Sequence, residues 1–291
     1  MKALGIDIGG TKISYCLIDK DGKILNEIEK ISTPKTKEKI SEALKNIISK
    51  FENEIDFTAI ATAGSVNNDN TLVIGSTANL PLGYRDIDFQ NLSVKKVFLE
   101  NDANCAAIAE YKVGAAKDTH HSITLTLGTG VGGGIIVDDK LLKGKSGAAG
   151  EMHFVMSRKK ERSCTCGFYD CYEAYASGNG LRRTGIDISK NQNITTYDII
   201  DGVQKNDKNS KEILDIWQND IALGIVGLVN IFDPEVVVLS GSMEQFVDTE
   251  KIENFVNKNI VTTPTKIKHA QLKNYSGMIG AVLLGFDKLT K

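Results

Sequence analysis

The sequence predicts an α/β fold built as two related lobes, and three observations carry that expectation. Short β-prone runs give way to a helical stripe, further buried strands and an alanine-rich helix, an order typical of α/β domains. The same strand, glycine turn, strand opening restarts near residue 122, as a repeated module would. With 291 residues, 41% of them hydrophobic, the chain has apolar material for more than one core.

The runs ALGIDI, KISYCLID and KILNEIEKI are separated by the turn signals GGT and DKDG, so the first thirty residues are expected to form a three-stranded meander. Ile40, Leu44, Ile47, Ile48 and Phe51 then recur at the spacing of a helix with one buried stripe. FTAIATAG and KKVFLEN read as short buried strands, and the alanine helix begins at Asp102. From SITLTLGTGVGGGIIVDDKLL the β pattern returns. KEILDIWQNDIALGIVGLVNIF is the longest helical pattern, followed by the strand EVVVLSG, a helix near TEKIENFVNKNIV and a terminal helix in SGMIGAVLLGF. No proline-rich or low-complexity linker marks a boundary. The expected division is a small lobe of residues 1–118, joined by the C-terminal helix at about 276–291, and a large lobe of residues 119–275.

Charge and composition narrow the function classes. Lys and Arg number 35 against 37 Asp and Glu, a formal net charge of -2, so nucleic acid is not the expected partner. No apolar run of signal-peptide length precedes the first glycine turn, and no window approaches the roughly 18 apolar residues of a membrane span. A cytoplasmic protein without membrane association is expected. Five cysteines is an odd count, and three of them crowd into CTCGFYDC, which favours a metal site over a disulfide framework.

The glycine turns carry the first chemical signal. GIDIGGTK places Asp7 near the end of a strand and Gly9 and Gly10 in the turn after it, where a missing Cβ lets backbone N–H groups approach an anion. A plain hairpin needing positive φ explains one such pair equally well. LGTGVGGG adds Gly128, Thr129 and Gly130 in a second turn, and VLSGS adds Gly241 and Ser242 at another strand end. Gly128, Gly130 and Gly133 have dinucleotide-loop spacing, but the run IIVDD follows where a Rossmann loop must open a helix. A Walker loop is excluded too, since Asp139 stands where its first glycine is needed before Gly144, Lys145 and Ser146. Two glycine hairpins, one per lobe, would clamp a triphosphate from both sides.

DIGGTK, END before an alanine helix, LGTGVGGG, GAAGE and CTCGFYDCYEAYASG occur in that order. Together they resemble the ROK family (repressor, open reading frame, kinase) of the actin-like and hexokinase-like ATPase superfamily. The likeness is strong from about Leu4 to Ser177 and loose beyond. It implies two ribonuclease H-like lobes around a central cleft, ATP and Mg2+ at the site, a structural Zn2+ and a homodimer. The family holds glucokinases, fructokinases, N-acetylmannosamine kinases and sugar-responsive repressors. Those repressors carry a helix-turn-helix before DIGGT, whereas here the motif starts at residue 7, so a DNA-binding role is not expected.

An aspartate that begins a helix is by default an N-cap. Asp102, however, follows a strand's carboxyl end, where α/β folds place their ligand crevices, and the matching family aspartate takes the proton of the attacking sugar hydroxyl. Asp102 is therefore expected as the catalytic base, with Asn101 holding neighbouring sugar hydroxyls. The resemblance further implies Glu151 and Glu173 as sugar-hydroxyl acceptors and Gly64 and Asn79 as pocket wall. It also implies Asp7 near the magnesium of MgATP, with Thr11 and Lys12 under the phosphates.

Cys164, Cys166 and Cys171 have the spacing of the family's zinc site, where the histidine of G-E-x-G-H completes a tetrahedron and also touches the sugar. Here the run is GEMHF, and an ungapped register sets Phe154 on that histidine and His153 on the glycine before it. Either the backbone shifts by one residue to present His153, or another group supplies the fourth ligand. The expected activity is ATP-dependent phosphorylation of a hexose or N-acetylhexosamine on its primary hydroxyl, glucokinase-like, with N-acetylmannosamine kinase or fructokinase as alternatives. A non-catalytic sugar-sensing regulator is the rival from another class.

Overall fold

The computed structural model describes residues 1–75 and 80–290. The chain divides into two compact units. Unit 1 comprises residues 1–118, 134–150 and 271–291, and unit 2 comprises residues 119–133 and 151–270.

Unit 1 is built on a sheet of strands β1 (Lys2–Ile8), β2 (Lys12–Asp19), β3 (Glu29–Ser32), β4 (Thr58–Thr62) and β5 (Val97–Asn101), in the order β3-β2-β1-β4-β5. β1, β2 and β3 form the antiparallel meander, while β4 and β5 run parallel to β1. The third strand is shorter than its apolar pattern suggests. Asn26 Oδ1 takes the Leu17 N–H at 2.6 Å, so a side chain replaces a ladder bond and regular pairing resumes only at Glu29.

The sheet is covered on both faces, so its strands read as nearly unbroken apolar runs. On one face, helix α1 (Lys37–Phe51) buries Ile40, Leu44, Ile47 and Ile48 against Leu4, Ile6, Ile60 and Leu99. Thr36 caps that helix by accepting the Lys39 N–H. On the other face lie helix α2 (Asp102–Val113) and the last helix, labelled α8 below (Ser276–Leu289), whose Met278, Val282 and Phe286 cluster with Ala3, Cys16, Ala59, Ala61 and Cys105. Buried Glu110 secures the returning chain: its carboxylate accepts N–H groups from Ala115 (2.8 Å), Gln271 (3.1 Å) and Leu272 (2.8 Å).

The second sheet repeats the plan with strands β6 (Ser122–Leu127), β7 (Val131–Val137), β8 (Lys140–Leu141), β9 (Val236–Ser240) and β10 (Lys266–His269), in the order β10-β9-β6-β7-β8. Unit 2 adds helices α3 (Tyr172–Ala176), α4 (Gly178–Ser189), α5 (Thr196–Gln204), α6 (Lys208–Phe232) and α7 (Thr249–Asn259). Trp217 of α6, fully buried, donates its indole N–H to Ala176 and Ser177 carbonyls at 3.0 Å and so ties α6 to the α3–α4 junction.

Beside the expected residues 1–118 and the C-terminal helix, unit 1 also takes residues 134–150, so it is made of three segments and unit 2 of two. Gly134 explains part of this. A Cβ there would stand only 2.5 Å from that of Ala107 and 3.0 Å from the Ala103 carbonyl, so the absent side chain lets β7 lie directly on α2.

Candidate active site

Asp102 stands at the corner between β5 and α2. Asn101 is the N-cap: its Oδ1 accepts the N–H groups of Ala103 (3.0 Å) and Asn104 (3.1 Å), and its Nδ2 donates to the Gly64 carbonyl at 3.2 Å. Asp102 is the first helical residue and its side chain is exposed. One of its carboxylate oxygens accepts the Ala103 N–H at 2.8 Å. Helix nucleation therefore does not depend on Asp102, which stands in the first turn of α2. The expected sugar contact of Asn101 is limited to its remaining amide N–H, because both faces of its oxygen serve the cap.

Beneath this corner lies a network that the sequence reading missed. Glu100, fully buried, accepts the Asn101 N–H (2.9 Å) and Asn104 Nδ2 (3.1 Å) on Oε1, and Asn70 Nδ2 (2.9 Å) and Lys143 Nζ (2.7 Å) on Oε2. Lys143 also donates to the Asn67 carbonyl at 3.0 Å. A buried carboxylate is tolerated when paired and hydrogen-bonded in this way. The network fixes the backbone on which Asn101 and Asp102 sit. Glu100 was readable only as the first letter of the END motif.

Asp7, near the end of β1, belongs to the same unit. Burial pushes its carboxyl up to about 7, the negative charge of Asp102 adds to the rise, and Lys12 opposes it. Gly277, at the start of α8, comes close: a Cβ there would lie 3.3 Å from Asp7 Oδ2. In the turn that follows, Gly9 donates its N–H to the Lys12 carbonyl (3.0 Å) and accepts the Thr33 hydroxyl (2.6 Å). Gly9 is not in the left-handed region, so close approach rather than handedness is what glycine supplies there. Thr11 and Lys12 are exposed on the turn.

In unit 2 the two glycine turns lie together. β6 and β9 are parallel neighbours, and the Gly128–Gly130 turn follows β6 while Gly241 and Ser242 follow β9. Gly241 has φ +91, and a Cβ on it would collide with the Leu127 carbonyl. Thr129, Gly241 and Ser242 are exposed. Gly128 has open space where a Cβ would point, whereas a Cβ on Gly130 would strike Glu173 Oε2. Glu173 is thus bound into the turn. Its Oε2 accepts the Val131 N–H at 3.1 Å and its Oε1 accepts the Thr165 hydroxyl at 2.9 Å.

The thiol cluster resolves the register of GEMHF. His153, Cys164, Cys166 and Cys171 bring their ligand atoms within 4.8 Å of one another. His153 Nδ1 is 3.6 Å from Cys164 Sγ, and Cys166 and Cys171 Sγ are 3.5 Å apart. Zinc–thiolate bonds of about 2.3 Å give tetrahedral edges of about 3.8 Å, so this donor set fits a zinc ion. Phe154, the residue set on the histidine by the ungapped register, instead stacks on Tyr172 with centroids 4.9 Å apart. The Phe154 carbonyl accepts the Tyr172 N–H at 2.9 Å, and Met156 donates to the Asp170 carbonyl at 2.7 Å. These bonds turn His153 toward the cysteines. The Phe168 N–H leads the effects that pull the Cys166 thiol down to about 7, whereas burial pushes the Cys164 and Cys171 thiols up, so the fit to a metal rests on the geometry of the four donors.

Asp170 organises the loop around the cluster and was not singled out by sequence. Its carboxylate accepts N–H groups from Lys160 (2.7 Å), Glu161 (3.0 Å) and Arg162 (2.8 Å) and the Tyr175 hydroxyl (2.8 Å). Glu151 is exposed, with Oε2 3.9 Å from His153 Nε2. Asn79 lies outside the described residues. No helix among the described residues is long and apolar enough to cross a membrane.

With this geometry in hand, the relatives are informative. The chain is similar to an N-acetylmannosamine kinase of Escherichia coli, with 32% identity over all of both chains. Among solved structures it resembles a ROK hexokinase from Thermus thermophilus, with a TM-score of 0.85 and 29% identity, covering 100% of this chain and 99% of that one. A ROK glucokinase from Streptomyces griseus, solved with glucose and AMPPNP, superposes with a TM-score of 0.80 and 27% identity over 98% and 99% of the two chains. The ROK family profile matches residues 3–288. The chain belongs to the ROK family.

Proposed function

We propose that this chain is an ATP-dependent kinase that phosphorylates the primary hydroxyl of a hexose or N-acetylhexosamine. The observation that carries the reading is the Asp102 carboxylate, exposed on the first turn of α2 while Asn101 does the capping. Asp102 removes the proton of the sugar hydroxyl as its oxygen attacks the γ-phosphorus, and ADP departs. Membership of a family whose relatives include a glucokinase solved with glucose and AMPPNP supports ATP as donor.

The remaining roles divide by unit. In unit 1, Asp7 would hold magnesium, which supplies charge neutralisation to the phosphates when bound; a carboxyl raised toward neutrality beside a second carboxylate suits a cation. Thr11, Lys12 and the backbone of Gly9 and Gly10 serve the phosphates, and Gly64, Asn79 and Asn101 serve the sugar. In unit 2, Gly128, Thr129, Gly130, Gly241 and Ser242 form a phosphate cradle of small turn residues, of which Thr129, Gly241 and Ser242 are exposed. Glu151, His153 and Glu173 face sugar hydroxyls, and His153 with the three cysteines holds a structural zinc. An apolar stripe on α6, with Ile216, Leu223 and Ile231 exposed by 40%, 45% and 72%, supports a homodimer, and a cytoplasmic location accords with the thiol-rich site.

Coupled ADP release over glucose, N-acetylmannosamine, N-acetylglucosamine, mannose and fructose tests the reading. One or two sugars should stimulate release in the wild type and not in Asp102→Asn. Sugar binding without ADP release from any of them would replace the kinase by a sensor.

A further inference from the structure

Three stretches of unit 1 that lie far apart in sequence meet at the ammonium group of Lys143, just past β8. Lys143 Nζ donates to Glu100 Oε2 at 2.7 Å and to the Asn67 carbonyl at 3.0 Å. Glu100, next to last in β5, is fully buried, and the Lys143 side chain keeps only 15% of its surface. The other carboxylate oxygen of Glu100 holds the Asn101 N–H and Asn104 Nδ2. One carboxylate therefore faces the α2 corner with one oxygen and the lysine with the other.

Lys143 also shapes the turn that it begins. Its carbonyl accepts the N–H groups of Gly147 (3.0 Å) and Ala149 (3.2 Å), while Asn68 Nδ2 donates to the carbonyls of Gly144 (3.3 Å) and Lys145 (3.0 Å). Gly147 has φ +97, and a Cβ on it would collide with the Val66 carbonyl, so this turn lies directly on the hairpin 65–75. That hairpin starts next to Gly64, whose carbonyl takes Asn101 Nδ2 at 3.2 Å. Asn70 pins it to β5: its carbonyl accepts the Leu99 N–H at 2.8 Å and its Nδ2 donates to the Leu99 carbonyl at 2.7 Å. In such a buried network each bond strengthens its neighbours, and removing one charge strands the other.

We propose that Lys143 is a positioning residue for the reaction. Its ion pair with Glu100 locks the Asn101–Asp102 corner, the hairpin 65–75 and the turn 143–149 into one block, so that the base and the sugar contact of Asn101 keep a fixed geometry. Lys143 acts through Glu100 rather than on the sugar. The kinetic consequence rests on the kinase reading, whereas the block does not. Misplacing a reacting group by about 1 Å can cost on the order of 10²-fold in rate, so a support of this kind is felt in turnover.

The test is built on two variants. Lys143→Met alone strands the Glu100 charge and lowers stability, so the informative protein is the double variant Lys143→Met, Glu100→Gln, which leaves no charge unpaired and should melt within a few degrees of wild type. Coupled ADP release is measured with glucose, or with N-acetylmannosamine where glucose is inert. In the double variant kcat should fall at least tenfold and the sugar KM rise at least threefold, while the KM for ATP changes less than twofold. A merely structural role lowers the folded fraction and moves neither KM. Lys143→Arg, which keeps the charge and the donors, should hold kcat within threefold of wild type. Wild-type constants in the double variant, a loss in Lys143→Arg as large as in the double variant, or a double variant that stays unstable would each overturn the positioning role. Amide hydrogen exchange tests the block separately: in the double variant, peptides covering residues 65–75, 101–105 and 143–150 should exchange at least threefold faster together, with α1 unchanged. Wild-type exchange there would overturn the block whether or not the protein phosphorylates a sugar. A wild type inert toward the whole sugar panel, with the three segments still exchanging in concert, would remove the kinase reading and leave the block standing.

Discussion

The two sheets share one plan and differ in what stands at their strand ends. In each, a first strand leads through a glycine turn into a second, and a parallel strand ends at or near a left-handed glycine: Gly64 (φ +88) beyond β4 and Gly241 (φ +91) after β9. The first sheet flanks its turn with Asp7 and Lys12 and ends β5 in Asn101 and Asp102. The second builds its turn from small neutral residues with one carboxylate, Glu173, bound into it through the Val131 N–H, and its β10 is a largely exposed strand with only Ile267 buried. The two sheets share a backbone plan and differ in the side chains at their strand ends, as expected where a fold fixes the place of a site and the side chains decide its chemistry.

If the charged corner is the chemical half, Asp102→Asn should lower turnover by roughly 10²-fold or more while leaving the melting temperature unchanged. Asn101→Ala, by contrast, should destabilise by about 1 kcal/mol through loss of the cap. A near wild-type rate in Asp102→Asn would erase the distinction between the two copies. The metal half is examined by elemental analysis. His153→Ala should lose most of about one zinc per chain, and Phe154→Ala should retain it; the reverse result would restore the ungapped register.

Smaller effects separate the two glycines of the second turn. Gly130→Ala must displace Glu173 and should cost about 1–3 kcal/mol in urea unfolding, whereas Gly128→Ala enters open space and should stay within about 0.5 kcal/mol. Equal costs would mean that Glu173 does not brace the turn. A pH-dependent effect concerns Asp7. Its folded pKa, raised to about 7, lies above the unfolded value, so the native state holds the extra proton and stability declines as pH rises from about 4 to about 7. Asp7→Asn removes that loss. Without divalent cation it should melt higher than wild type at pH 8 and show no such advantage at pH 4; a gain of equal size at both would refute a titration origin.

Much of the fold was legible because it is written in local periodicity. The stripe of Ile40, Leu44, Ile47 and Ile48 and the strand runs on either side of GGT needed only their own neighbours to be read. What escaped depends on partners distant in sequence. The return of residues 134–150 to unit 1 rests on Gly134 meeting Ala107, and the truncation of the third strand rests on one amide, Asn26, that outcompetes a ladder bond. At the site, the motif named Asp102, but not that Asn101 would cap the helix or that Glu100 and Lys143 would lie beneath it. The histidine register was undecidable from spacing, since it turns on Phe154 finding a stacking partner in Tyr172.

The closure of unit 1 by α8 sets an order of events during synthesis. The sheet face bearing Ala3, Cys16, Ala59 and Ala61 is made within the first 118 residues, but Met278, Val282 and Phe286, which complete its cover, follow only after residues 119–270 have been translated. At ~5–20 residues per second that interval is on the order of 10 s. Unit 2, whose intervening segments are made in that interval, has what it needs to fold first, although it comes second in sequence. The apolar face of unit 1 must meanwhile stay out of intermolecular contact until the segment anchored by Glu110 arrives. A nascent chain halted near residue 270 would present that face to chaperones, whereas the finished chain hides it.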